Sequence, residues 1–227
     1  EYEQAMAYNK KYARFSDAIN ANNRELSGLL PVMQGKIMNM TEADGMKVNP
    51  HFTDMNAVDA GYYSNCQTCT MAYELRRRGF NIEATPSPSV NKIPGFYRFC
   101  ARNKTSFDER WLLEDGRKAP RSSSYSKISK NTKEAKLKYI EDSTSEVGRY
   151  EILVQWNGRD AHVFCLERTK DGNLIWFDPQ SGRKGGHESF DNYLELMMKN
   201  GISILRIDDK IINPVFSELF LKSSKNT

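Results

Sequence analysis

The chain has 227 residues, 39% apolar and 27% charged, with a net charge of +4. That length accommodates one large domain, or one domain with an accessory segment, and buries a core without disulfide staples. No apolar run approaches the ~18 residues of a membrane-spanning helix, no secretory signal opens the chain, and the charge is too weak to argue for nucleic acid. The first residue is Glu1 rather than Met, so the expectation is a piece of a longer polypeptide.

In chain order, residues 2–30 read as an accessory helix, with Tyr8, Tyr12, Phe15 and Ile19 on one stripe and Pro31 arguing against continuation. Residues 40–64 carry turn chemistry in Asp44-Gly45, Asn49-Pro50 and Asp59-Ala60-Gly61. The clearest helix follows. Ser64 or Asn65 is its expected N-cap, Arg76 to Arg78 complement the negative end of its dipole, and Gly79 is the expected stop. Phe80 to Ala84 suits a short strand. Residues 100–148 are polar and Lys-rich and read as an insertion with a short helix near Lys133–Ile140, its basic side chains a solvated face.

From 149 onward the pattern is strand-like. Tyr150–Trp156, His162–Glu167 and Leu174–Phe177 are separated by Asn157-Gly158 and by a turn at Lys170–Asn173. A helix over Phe190–Lys199, stopped by Asn200-Gly201, and a strand over Ile202–Ile207 complete the reading. Helices followed by a meander of strands give an α+β class. The division is 1–45 as a helical or linker segment and 46–227 as the main domain, with the insertion at about 100–148.

Four cysteines are present: Cys66, Cys69, Cys100 and Cys165. The one C-x-x-C lacks the βαβ setting of a redox motif and the paired cluster or H-x₃₋₅-H spacing of a zinc site. Neither a metal nor a cofactor is expected. Cys66 falls in the first turn of the capped helix, where free N–H groups and the dipole favour a thiolate. Cys69, one turn further in, is the alternative nucleophile. A thiolate wants a base, and only three histidines exist. His51 and His187 fall in loops, whereas His162 starts a strand that holds it firmly. If the next turn is a hairpin centred on residue 170, Asp178 faces His162 across adjacent strands and can orient its ring. Asn65 and Gln180 are secondary candidates as oxyanion donors.

The stretch Asn65-Cys66-Gln67-Thr68-Cys69-Thr70-Met71-Ala72-Tyr73, with Ala161-His162-Val163-Phe164 and Ile175-Trp176-Phe177-Asp178-Pro179-Gln180-Ser181-Gly182, resembles the nucleophile, histidine and aspartate blocks of the papain-fold toxin group. These are modules of bacterial polymorphic toxins and of phage minor head polypeptides. The resemblance covers mainly residues 49–84 and 150–182. It implies a papain-like fold, with the nucleophile helix packed on an antiparallel sheet and Cys66, His162 and Asp178 as nucleophile, base and orienter. The implied activity is deamidation of a protein glutamine, with peptide cleavage or autoprocessing as the related alternative. It implies a protein substrate, an immunity protein as partner, and a longer toxin or phage polypeptide delivered to a target cell. The reading from another class is a non-catalytic virion or toxin interaction module whose cysteine helix is structural.

Overall fold

The strand-period alternation of the C-terminal half organises the molecule, because each strand carries apolar side chains to both faces of one sheet. The computed structural model describes residues 2–158 and 160–224. Its elements are α1 (Tyr2–Leu29), α2 (Gly45–Val48), α3 (Ala57–Ala60), α4 (Cys66–Arg77), β1 (Ile82–Ala84), α5 (Gly95–Arg102), β2 (Trp111–Leu112) and β3 (Ser122–Ser123). They continue with α6 (Lys133–Ser143), β4 (Gly148–Trp156), β5 (Ala161–Arg168), β6 (Leu174–Asp178), β7 (Arg183–Gly185), α7 (Asp191–Leu196), β8 (Met197–Arg206), β9 (Ile211–Ile212) and β10 (Phe220–Lys222). The class is α+β, with antiparallel pairing throughout these strands.

The main sheet runs β3-β8-β4-β5-β6-β7. Along β4, Tyr150, Ile152 and Val154 face one way. With Phe164, Leu166, Trp176, Ile202 and Ile204 they form a core under α6 and α7. The alternate positions Cys165, Phe177 and Leu205 face the other way, into a core with Cys69, Ala72, Tyr73 and Leu75 of α4. The sheet is therefore covered on both faces, and α4 lies on the side opposite α6 and α7.

Helix α4 is anchored by charge as well as by apolar contact. The buried Glu74 carboxylate pairs with Arg78 (2.9 Å) and with Arg149 of β4 (2.7 Å). Burial pushes its pKa up, but the two guanidinium groups outweigh this and hold it at about 2. Glu151, two positions beyond Arg149 on the same face of β4, accepts from Arg110 Nη2 (2.6 Å), Arg121 Nη1 (2.6 Å), Trp111 Nε1 (3.0 Å) and Thr70 Oγ1 (3.1 Å). The stretch 100–148 thus supplies partners to a buried carboxylate, and it lays Cys100, Trp111 and Ala119 in one core and Ile128, Tyr139 and Ile140 in the other.

Helix α1 runs unbroken to Leu29, and Leu26 and Leu30 enter the α4-side core. The stripe expected at Tyr8, Tyr12 and Phe15 lies outside the described side chains. Further on, Asn22 exchanges both amide bonds with Ile212, donating to its carbonyl (2.9 Å) and accepting from its N–H (3.0 Å).

Two expectations need correction, and one helix comes in addition to the expected elements. The helix over Phe190–Lys199 is only Asp191–Leu196, and Met197 to Gly201 belong to β8. Met197 pairs with Trp156 past an irregularity in β4, and Gly201 lets the Gln155 side chain approach, so it marks close strand contact and not a helix stop. Helix α5 went unread, although Phe96, Phe99 and Cys100 sit at helical spacing behind Pro94. Finally, Asn65 is the N-cap of α4 by position but makes no side-chain cap, and Ser64 Oγ bonds the Ser87 carbonyl instead (2.7 Å).

Candidate active site

Strand parity places the first two site residues. His162 shares a face with Phe164, and Asp178 shares a face with Trp176. The observed register pairs Cys165 with Phe177 and Leu166 with Trp176, which centres the hairpin on residue 171 and not 170. His162 and Asp178 are therefore diagonal neighbours, two positions from direct opposition. The even offset keeps them on the same face, whereas an odd one would have put them on opposite faces. His162 Nε2 lies 3.0 Å from Asp178 Oδ2.

Cys66 arrives from the other layer. It is the first residue of α4, at the helix end beside His162, and its side chain is near enough to raise the imidazole pKa. Asp178 occupies Nε2. The three side chains cluster, with the imidazole bonded to the carboxylate and Cys66 beside the ring. Burial alone would lower the His162 pKa. The charge and hydrogen bond of Asp178, reinforced by the hydrogen bond and charge of Cys66, overcome it and raise the pKa to about 10. Asp178 is 1% exposed, and burial pushes its pKa up. The His162 charge and hydrogen bonds from His162, Tyr193 and the Gln180 N–H outweigh burial and hold it below the usual carboxylate range.

Cys69 is fully buried. Burial, with the nearby Cys66 and Asp178 charges, pushes its thiol pKa well up, so it stays protonated. Its depth in the helix and its raised pKa both count against Cys69 as the reactive sulfur. His51 pairs with Asp54 (2.9 Å) and His187 sits beside Glu188 (3.3 Å), so neither joins the cluster.

The start of α4 is fixed by a buried amide network. Asn65 Nδ2 donates to Asn49 Oδ1 (3.1 Å) and to the Thr85 carbonyl (3.2 Å). Asn49 Nδ2 donates to the carbonyls of Tyr62 (3.0 Å) and Gln180 (2.9 Å). The network ties the loop after Asp178 to the nucleophile helix, and it commits the Asn65 side chain to bracing. Gln180 packs its side-chain amide on the helix start. With oxygen inward it accepts from Asn65 N (3.2 Å) and Cys66 N (3.1 Å), and with nitrogen inward it donates to Asn65 Oδ1 (3.2 Å).

Several contributors were not legible as site residues. Trp156 stacks on His162 with centroids 6.0 Å apart and 22° between planes. Tyr193 and Ser181 both donate to Asp178 Oδ2, at 2.8 and 3.0 Å. Asn49 was visible only as an Asn-Pro turn. The signal for Ser181 was its place three residues after Asp178; Trp156 and Tyr193 had none, since tertiary packing alone brings them in.

Among the described residues no group of three or more His, Cys, Asp or Glu side chains is placed to hold a metal ion, and no helix is long and apolar enough to cross a membrane. No protein-family model matches the chain, and no curated protein matches it.

Proposed function

We propose that this protein is a papain-like thiol hydrolase of the papain-fold toxin group, acting on an amide of a protein substrate, and that its reaction is deamidation of a glutamine side chain. The observation that carries the reading is the His162–Asp178 pair, hydrogen-bonded at 3.0 Å, with Cys66 beside the ring at the first turn of a helix packed on an antiparallel sheet. A buried structural cysteine has no need of a charged histidine held by a carboxylate.

In this reading His162 takes the thiol proton and stays as imidazolium beside the thiolate. Sulfur attacks the amide carbon. The developing oxyanion meets the Cys66 N–H at the helix start, with the Gln180 amide beside it. His162 gives its proton to the departing nitrogen, which leaves as ammonia. A water then loses a proton to His162 and attacks the thioester, releasing a glutamate side chain and the free thiol. Asp178 keeps the ring oriented and supports its charge. Peptide cleavage follows the same steps with an amine as the leaving group, so the two activities differ in substrate seating and not in chemistry. A toxin of this kind implies an immunity protein that covers the site in the producing cell.

Iodoacetamide labelling of the folded protein at neutral pH tests the reading. Cys66 should be modified far faster than the other three cysteines, and His162→Gln should remove the preference. Uniform labelling of all four would return the protein to the class of non-catalytic interaction modules. Ammonia release from a glutamine-bearing protein, without backbone cleavage, separates deamidase from peptidase.

A further inference from the structure

A third side chain holds the His162–Asp178 pair in place. We propose that Tyr193 is a positioning residue of this site, whose hydroxyl fixes Asp178 Oδ2 and sets how much of the carboxylate's charge reaches the imidazole; the inference rests on the thiol-hydrolase reading above.

The Tyr193 hydroxyl donates to Asp178 Oδ2 at 2.8 Å, on the same oxygen that meets His162 Nε2 (3.0 Å) and the Ser181 hydroxyl (3.0 Å). The other carboxylate oxygen accepts from the Gln180 N–H at 3.0 Å. One oxygen with two in-plane lone pairs thus serves three donors, so its charge is shared. A donor removed from that oxygen leaves more of the charge for the two that remain.

The ring is placed independently of its hydroxyl. It stands edge-on to His162 (centroids 5.9 Å, 83°), Trp156 (5.3 Å, 75°) and Phe190 (5.1 Å, 89°). The Arg183 guanidinium lies 5.5 Å from its centroid. Deleting the oxygen alone therefore leaves the packing and isolates the electrostatic effect. Burial and the Asp178 charge push the phenol pKa up, so the donor proton persists through the physiological range. Among the described residues, the titratable or charged groups facing the pair are Cys66 and Cys69 from α4, Cys165 from β5, Tyr193 from α7 and, through the Tyr193 ring, Arg183.

The test is an NMR titration of the His162 imidazole in the full chain. Only three histidines are present, and His162→Gln assigns the resonance. Tyr193→Phe should move the His162 titration upward by about half a unit, because Asp178 offers the ring more charge. Replacing Tyr193 with 3-fluorotyrosine, a stronger donor of the same shape, should move it the other way. Wild-type titration in both proteins would overturn the proposal and leave Tyr193 a packing residue. If Tyr193→Phe does not fold, the fluorotyrosine protein decides by itself. Uniform alkylation of the wild-type cysteines would sink the hydrolase reading, while the histidine titration would still report on Tyr193.

Discussion

The backbones of Gly45 and Gly182 touch: a side chain at position 45 would end 2.9 Å from the Gly182 Cα and 3.0 Å from the Pro179 carbonyl. Through this contact α2 presses on the loop that carries Gln180 and follows Asp178. Gly45→Ala should therefore cost about 1–3 kcal/mol by overpacking. It should also slow Cys66 alkylation, because the loop moves relative to α4. Denaturant midpoint and alkylation rate measure the two effects. Unchanged alkylation in a destabilised variant would mean that α2 braces the fold and not the site.

Cys69 lies under the proposed nucleophile and is fully buried. Cys69→Ala removes one sulfur from a packed core, an expected loss on the order of 1–2 kcal/mol, and should leave the fast-reacting thiol in place. Cys66→Ala should remove that thiol at little cost to the midpoint. If Cys69→Ala abolished the fast phase and Cys66→Ala kept it, the nucleophile would shift by one helical turn.

The raised histidine fixes the sign of a pH effect. A folded pKa of about 10 against an ordinary 6.5 gives stability that is whole below pH 6.5 and is lost as pH rises through about 10. The lowered pKa of Asp178 works the other way: its contribution is present above pH 3.8 and is lost as pH falls through the folded value. Wild-type stability should decline from pH 6.5 towards 10, and His162→Gln should flatten that decline. Urea midpoints at a series of pH values decide it, and parallel curves for the two proteins would remove the His162–Asp178 pair as the cause.

Glu151 joins the stretch 100–148 to the main sheet. Glu151→Ala strands the fully buried Arg110 and the nearly buried Arg121, and should cost about 3–5 kcal/mol. Glu151→Gln retains acceptor geometry without the charge and should cost less. A loss below 1 kcal/mol in the alanine variant, read by chemical denaturation, would show that water reaches the two guanidinium groups.

Local signals carried much of this molecule. The uninterrupted run from Cys66 to Arg77, with Gly79 at φ 105° just beyond, needed no tertiary information to be read as a helix. The alternating runs of β4, β5 and β6 were equally plain, and they were enough to bring His162 towards Asp178 because a hairpin is a local object. Helix α5 carries a local signal of its own, but the other unexpected elements depend on distant partners. The two-residue strands β2 and β9 exist only because they pair with each other across the chain, and Met197–Gly201 is strand because Trp156 lies beside it.

The sequence by itself determined the α+β class, the helix that opens with Cys66, and the hairpin joining His162 to Asp178, since each is written in spacing over a few turns of chain. Tertiary structure alone decided the two-residue offset of the His–Asp pair and the packing of Trp156, Tyr193 and Asn49 around it. The offset follows from where the two strands pair, and the other contacts join segments far apart in the chain, which no local periodicity encodes.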